Sequence, residues 1–292
     1  MKAVKSINTQ SSHDHDNGKV VENPWSDLRR FTDARIGLGR AGISLPTSEM
    51  LAFQLSHAQA RDAVNFPLDI SEMTKTLSAI DALSVVEKPL SVQSEAVDRV
   101  TYLQRPDLGR KLNQAGRTTL LNTMQSRQNS TQAQYDLAIV VVDGLSSLAV
   151  QKNAAPFISE LLKQLPTEPS PYKIAPITLV EQGRVAIGDD IGELLNAQVV
   201  MVLIGERPGL SSPDSLGLYL TWEPKTGLND ACRNCISNIR PAGLSYFEAA
   251  RRAVYLLQEA KKCGLTGVNL KDRTQDDVIE HQVQTTNFLI AE

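Results

Sequence analysis

Two short stretches bring acids, bases and thiols to places where chemistry could happen. In "GERPG", residues 205–209, Glu206 and Arg207 follow directly on the apolar run "VVMVLI". A plain turn needs glycine or proline, not an adjacent acid and base. The pair therefore points to a ligand or a partner chain as well as to a surface ion pair. A carboxylate there can accept hydrogen bonds from amides or hydroxyls, and Gly209 permits close approach of another backbone. In "CRNC", Cys232 and Cys235 have the spacing of half a zinc site or of a redox dithiol. No second cysteine pair follows, and Cys263 with one remote histidine does not complete a zinc shell. The Arg-Asn insert and the following "ISNIR" are unlike a redox pair opening a helix. Cys235 reads instead as a small, weakly polar group that packs tightly against something. No nucleophile–base constellation is present. Of the four histidines only His57 lies in patterned sequence, so general-base chemistry at neutral pH has few candidates and no catalytic residue is assigned. His13 and His15, in "HDHD", have nothing around them to fix a metal's geometry, and no metal site is assigned.

Such residues need a scaffold. "YDLAIVVVDGLSS", "YKIAPITLV" and "QVVMVLIG" hold unalternating β-branched runs, the pattern of strands buried on both faces of a parallel sheet. Helical patterns, "APFISELLKQL" and "DDIGELLNA", separate them. "SLGLYLTW" adds an edge strand or hairpin arm, and "SYFEAARRAVYLLQEAKKCG" is a long amphipathic helix stopped at Gly264. The predicted fold class is α/β. An open, mostly parallel, Rossmann-like sheet domain over residues 131–272 is preceded by a mainly helical N-terminal domain over residues 21–130. Within the helical domain, a pair of helical pieces flanks "IGLGRAG", with Leu51, Leu55 and Ala58 on one face of the second. A further helix is read in "RPDLGRKLNQAGRTTLLNTM". Residues 1–20 read as a disordered leader and 273–292 as a C-terminal extension.

Ligands of open sheets collect outside the carboxyl ends of the strands. "DGLSS" at 143–147, "GRVAIGDDIGE" at 183–193 and "GERPG" are the places to look. "NDACRNCISNI", residues 229–239, reads as the connection between the last strand and the final helix. "IGLGRAG" lacks the spacing and the preceding strand of a phosphate-binding fingerprint. Arg35 and Arg40 beside it stay candidates for a partner's carboxylates or a ligand phosphate.

Composition narrows the classes. The 292 residues are 41% hydrophobic and 22% charged, enough for a sizeable core. A formal net charge of −3 and 5% aromatic content argue against broad phosphate-backbone binding and against a base-stacking platform. No apolar run approaches membrane-spanning length, and the first residues lack an apolar signal core. Three cysteines, an odd number, fit a reducing compartment. The expectation is a soluble protein, with neither nucleic acid nor membrane as partner.

Taken together, "ARIGLGRAG", "RPDLGRKL", "IVVVDGLSS", "LIGERPGLSSPDSLGLYL", "LYLTWEP" followed by "ACRNCISNIR", and "GLTGVNLK" resemble the small subunit of ethanolamine ammonia-lyase. The likeness runs from about Asn23 to Lys271. It implies one half of an adenosylcobalamin-dependent lyase that converts ethanolamine to acetaldehyde and ammonia. In that hetero-oligomer the large subunit holds the substrate site, and the small subunit closes over cobalamin at the interface. By the same resemblance the cofactor-binding positions are Val185 of "GRV", Glu206 of "GERPG" and Cys235 before "ISNI". Residues 21–130 are expected to supply large-subunit contacts, and the isolated chain is expected to be inactive. Arg207 either pairs with Glu206 or reaches across to the large subunit. The family implies a cytoplasmic location, free or within a bacterial microcompartment. Two other classes stay open. One is a non-catalytic assembly protein. The other is a nucleotide-binding oxidoreductase, which needs a dinucleotide loop after the first strand that "VVVDGLSS" does not supply.

Overall fold

The computed structural model describes residues 23–274 apart from 33, 84, 85, 126–133 and 169. The leader with its "HDHD" motif, and the tail beyond 274, lie outside the described residues. The chain divides into two units between Leu55 and Ser56. The division falls inside helix α1, Thr47–Asn65. In the first unit a 3-10 helix, Pro24–Phe31, is capped by Asn23, whose side chain accepts the Trp25 N–H. Arg29 ties this helix to its surroundings, donating to Glu49 at 2.6 Å and to the Ile36 carbonyl at 2.8 Å. The apolar face expected from Leu51 and Leu55 is present but uncovered, and Trp25, Phe31 and Ile43 are exposed as well.

The second unit contains α2 (Ile70–Ser78), β1 (Leu90–Gln93), α3 (Arg99–Gln104), α4 (Gln114–Gln125), β2 (Tyr135–Val142) and α5 (Ser147–Gln164). It continues with β3 (Thr178–Glu181), α6 (Ile187–Leu194), β4 (Ala197–Gly205), β5 (Leu216–Trp222), β6 (Arg233–Ile239) and α7 (Tyr246–Cys263). The strands form one sheet in the order β1-β3-β2-β4-β5-β6. Pairs β1–β3, β2–β3 and β2–β4 are parallel, while β4–β5 and β5–β6 are antiparallel. The three β-branched runs thus lie side by side, with Val140 opposite Thr178 on one side and Val202 on the other, and "SLGLYLTW" adjoins them as β5.

Their lack of alternation has a direct cause: both faces are covered. Leu137, Ile139, Val141, Met201 and Leu203 pack with residues of α5 and α7. Val140, Val142, Val200, Val202 and Ile204 pack with Leu120 of α4 and with Ile187 and Ile191 of α6. Each such side chain contributes about 1.5–3 kcal/mol by leaving water. The C-terminal stop of α7 is also as expected: Gly264 adopts φ 66° and its N–H donates to the Ala260 carbonyl at 2.8 Å.

Three details differ from the sequence reading. The edge strand β1 arises inside residues 21–130, from a four-residue segment too short to show a period. "NDACRNCISNI" is not a connection, because its second half is the opposite edge strand β6. Only Arg233, Ile236 and Ile239 of that strand are buried, which breaks up the hydrophobic signal. Finally, "RPDLGRKLNQAGRTTLLNTM" is not one helix. Pro106 disfavours helical backbone at the residue before it, so α3 stops at Gln104, and α4 restarts only at Gln114.

Candidate functional site

The carboxyl ends of β2, β3 and β4 meet at Asp143, Gln182 and Gly205. Asp143 is 2% exposed, and its two oxygens accept the N–H groups of Gln182 at 2.8 Å and Gly183 at 3.1 Å. Gln182 has φ 56°, a left-handed backbone that the clamp holds in place. Arg99 of α3 lies 3.7 Å from the carboxylate and donates to the Gly144 carbonyl at 2.8 Å. The strand-ending turn is therefore also an anchor for the loop that leads into Val185. Gly144, at φ 60°, brings its bare Cα against the backbone of Gly205, where an added Cβ would overlap the carbonyl. Leu145 N–H donates to that same carbonyl at 2.9 Å. The two turns interlock through backbone alone, which is why both need glycine.

Burial pushes Asp143 up to about 6, against the two amides and the Arg99 cation that favour its charged form. As pH rises, the unfolded chain releases this proton first, near the ordinary value of about 4. Asp143's contribution to stability is thus complete below about pH 4 and lost as pH passes through about 6. Urea midpoints of the wild type should fall across this window, and Asp143→Asn should remove that part of the slope. An identical slope in the variant would assign the titration to another group.

The acidic motif in "GRVAIGDDIGE" braces helix α6. Asp189 and Asp190 occupy its first turn, where the helix dipole favours negative charge, and each is 2% exposed. Asp189 receives both terminal nitrogens of Arg233, at 2.6 and 2.8 Å. Asp190 accepts from Arg117 at 2.9 Å, from Leu112 N–H at 3.2 Å and from the Thr226 hydroxyl at 2.7 Å. So α6 is fastened to β6 on one side and to α4 on the other. This explains the arginine inside "CRNC": its side chain turns toward α6 and ties down the strand that carries Cys235. Among the described residues no group of three or more His, Cys, Asp or Glu could hold a metal ion.

Glu206 extends the register of β4, donating its N–H to the Ser215 carbonyl at 2.9 Å. Alternation places its side chain on the same face as Val202 and Ile204, the face that α6 covers. One carboxylate oxygen, Oε2, accepts a short bond from the Ser215 hydroxyl and the Asn238 N–H at 3.3 Å. The other, Oε1, lies over Gly217, where a Cβ would come within 2.9 Å of it, and no donor among the described residues reaches it. Cys235 on β6 is the register partner of Tyr219 on β5, which sets the thiol beside the phenol. Although Cys235 keeps an exposed surface, the atoms packed round its sulfur push the thiol up, and the charge of Glu206 adds to this. It is a protonated packing group, not an activated nucleophile. Val185 sits in the loop before α6, half-buried, against the same apolar cluster that Tyr219 covers.

The three candidate positions thus share one face of the sheet. Arg207 is exposed and makes no ion pair with Glu206. Sequence reasoning missed the residues that hold Glu206, namely Ser215 and Asn238, and missed Tyr219. A faint signal existed for Tyr219: in "LGLYL" the leucines alternate with Gly217 and Tyr219, so these two must face away from the leucine core. Asn238 gave none. It adopts φ 59° beside the register shift between β5 and β6, and that irregularity turns its N–H to the carboxylate.

A family model described as ethanolamine ammonia-lyase light chain (EutC) matches residues 22–271. A protein named ethanolamine ammonia-lyase small subunit from Pseudomonas fluorescens (strain Pf0-1) is 52% identical over 272 residues, covering 92% of this chain and 95% of its own. A small subunit from Pseudomonas aeruginosa (strain UCBPP-PA14) is 51% identical, with 93% and 96% covered. One from Azotobacter vinelandii is 53% identical over 262 residues, with 89% and 92% covered.

Proposed function

The chain belongs to the ethanolamine ammonia-lyase light-chain family, and on that premise we propose that it is the small subunit of an ethanolamine ammonia-lyase. In this reading it binds adenosylcobalamin together with a large subunit. The observation that supports it best is that Val185, Glu206 and Cys235, far apart in sequence, come to one face of the sheet. Their chemistry fits the organic periphery of a cobalamin. The corrin carries amide side chains that donate, and Glu206 Oε1 is an acceptor that no described residue fills. Val185 and Cys235 offer small, weakly polar surface to the flatter regions of the group. When bound, adenosylcobalamin supplies the radical chemistry that turns ethanolamine into acetaldehyde and ammonia. The role of this chain is to hold the cofactor's rim, orient it and exclude water. No catalytic residue is assigned to it.

Residues 131–272 take the cobalamin contacts in this proposal, and residues 21–130 contribute to the large-subunit interface. Trp25, Phe31, Ile43 and Leu51 are exposed large apolar groups of the kind an obligate partner covers. Exposed Arg207, free of Glu206, reaches across to the large subunit. The complex works in the cytoplasm, free or enclosed in a microcompartment. No helix among the described residues is long and apolar enough to cross a membrane. The oxidoreductase alternative loses support at the turn after β2. There Gly144 is packed on Gly205 and Ser146 caps α5 through the Ala149 N–H, with no glycine-rich opening for a pyrophosphate.

Glu206→Gln tests the reading. It keeps the shape but removes the charge and turns one acceptor into a donor. Cobalamin affinity of the two-subunit complex should weaken roughly ten- to a hundredfold, the loss of a charge-assisted bond of about 1.5–3 kcal/mol. Association of the subunits without cofactor should change far less. Equal affinities would remove Glu206 from the site. Loss of association before cofactor is added would make it an interface or folding residue instead.

A further inference from the structure

We propose that Tyr219 is a fourth cofactor contact, its ring forming the platform on which a flat, apolar face of cobalamin lies between Val185 and Cys235. The inference rests on the reading above and adds to it a residue outside the three family positions.

Strand β5 presents two unlike faces. Leu216, Leu218 and Leu220 fill the core under α5 and α7. Gly217, Tyr219 and Thr221 turn the other way. Of these, Gly217 has no side chain and lies beneath Glu206, while Thr221 is 1% exposed and accepts from Arg233. Tyr219 is therefore the one large side chain that β5 turns to the site. It stands directly across from Cys235 in the β5–β6 register and two residues along from the glycine that Glu206 covers. One side of the ring packs on the apolar cluster that Val185 also touches, and the rest stays accessible. Each of the three family positions is thus linked to Tyr219, by register, by charge or by shared packing.

The ring is also held ready. It is half-buried against the apolar cluster and flanked across the ladder by Cys235, so the side chain loses little further freedom when a ligand arrives. Burial, the neighbouring thiol and the Glu206 charge push the phenol above its ordinary value, so it stays neutral throughout the working range. A fixed, uncharged aromatic face gives large contact area at low entropic cost, and it favours offset stacking on another flat group. A leucine or valine could fill the same gap over the cluster but would offer no such face.

The test uses the full two-subunit complex and cyanocobalamin, followed by its visible absorbance, with subunit association measured alongside. Tyr219→Phe keeps the ring and should bind within about threefold of wild type. Tyr219→Leu keeps the cluster filled but removes the platform, and should bind roughly tenfold or more weakly while the subunits still associate. Recovery by phenylalanine and not by leucine separates a ring contact from a merely structural role. Wild-type affinity in the leucine variant overturns the proposal. So does a phenylalanine variant as weak as the leucine one, because the hydroxyl would then be acting through Cys235. Glu206→Gln run in parallel keeps the two readings distinct. If it loses affinity while Tyr219→Leu does not, only the Tyr219 inference falls. If neither loses affinity, the cofactor reading of this face falls with it.

Discussion

Arg233→Met is expected to destabilise the isolated chain by about 3–5 kcal/mol, the largest single-site loss on this face of the sheet. The arginine and Asp189 are 1% and 2% exposed at the side chain and meet through two charge-assisted bonds, the shorter 2.6 Å. No other described residue donates to Asp189, so the methionine variant leaves a buried carboxylate without a partner. That uncompensated charge is the source of the cost, rather than the strength of the pair itself. The double variant Arg233→Met with Asp189→Leu removes both charges and should recover most of the loss. Urea unfolding of the single and double variants against wild type decides the matter. A single-variant loss below about 1 kcal/mol, the value of a solvent-screened surface pair, would contradict the buried geometry.

The second large effect is on activity. The purified chain with adenosylcobalamin should form no acetaldehyde from ethanolamine, and addition of a compatible large subunit should start turnover. The reason lies in what the polar groups at the strand ends already do. Asp143 is committed to two backbone amides, Asp189 and Asp190 to arginines, and one oxygen of Glu206 to Ser215 and Asn238. Cys235 is held protonated, and His57, the only histidine among the described residues, belongs to the exposed surface of α1. What remains is a surface shaped to hold something. Aldehyde production by the small chain alone, confirmed after a further purification step, would sink this assignment.

How far these features were legible depends on how local their causes are. The parallel core was, because Ala138–Val142 and Val199–Ile204 are buried on both faces and so carry unbroken hydrophobicity. Strand β6 was not. Its three buried positions, Arg233, Ile236 and Ile239, are separated by polar and thiol residues, so neither a period of two nor an unbroken apolar run marks it. Edge strand β1 gave too few residues to show a pattern. Glu206 and Cys235 stood out locally, but Val185 and the grouping of the three came from resemblance to a family, since nothing local says that they share a face. The partners of Glu206 could not be foreseen, because an off-ladder amide at Asn238 follows from a register shift that only the paired strands reveal. The role of Arg233 was hidden for a related reason. A charged residue between two cysteines suggests a metal or redox motif, whereas its actual partner is an aspartate on a helix 44 residues away.

The strand order also sets a timetable. Strands β4, β5 and β6 are successive neighbours, so the region of the surface bearing Glu206, Tyr219 and Cys235 can form from one contiguous stretch of nascent chain. The Val185 edge cannot. Its loop is positioned only after β3 has slotted between β1 and β2, with α3, α4, β2 and α5 threaded through the intervening sequence, and after Asp143 has met Gln182 and Gly183. Closing such long loops costs entropy before any contact rewards it, and folding slows as sequence separation grows. By that measure the two parts of the surface differ: the β4–β6 meander closes short loops, whereas the Val185 edge depends on a long-range insertion.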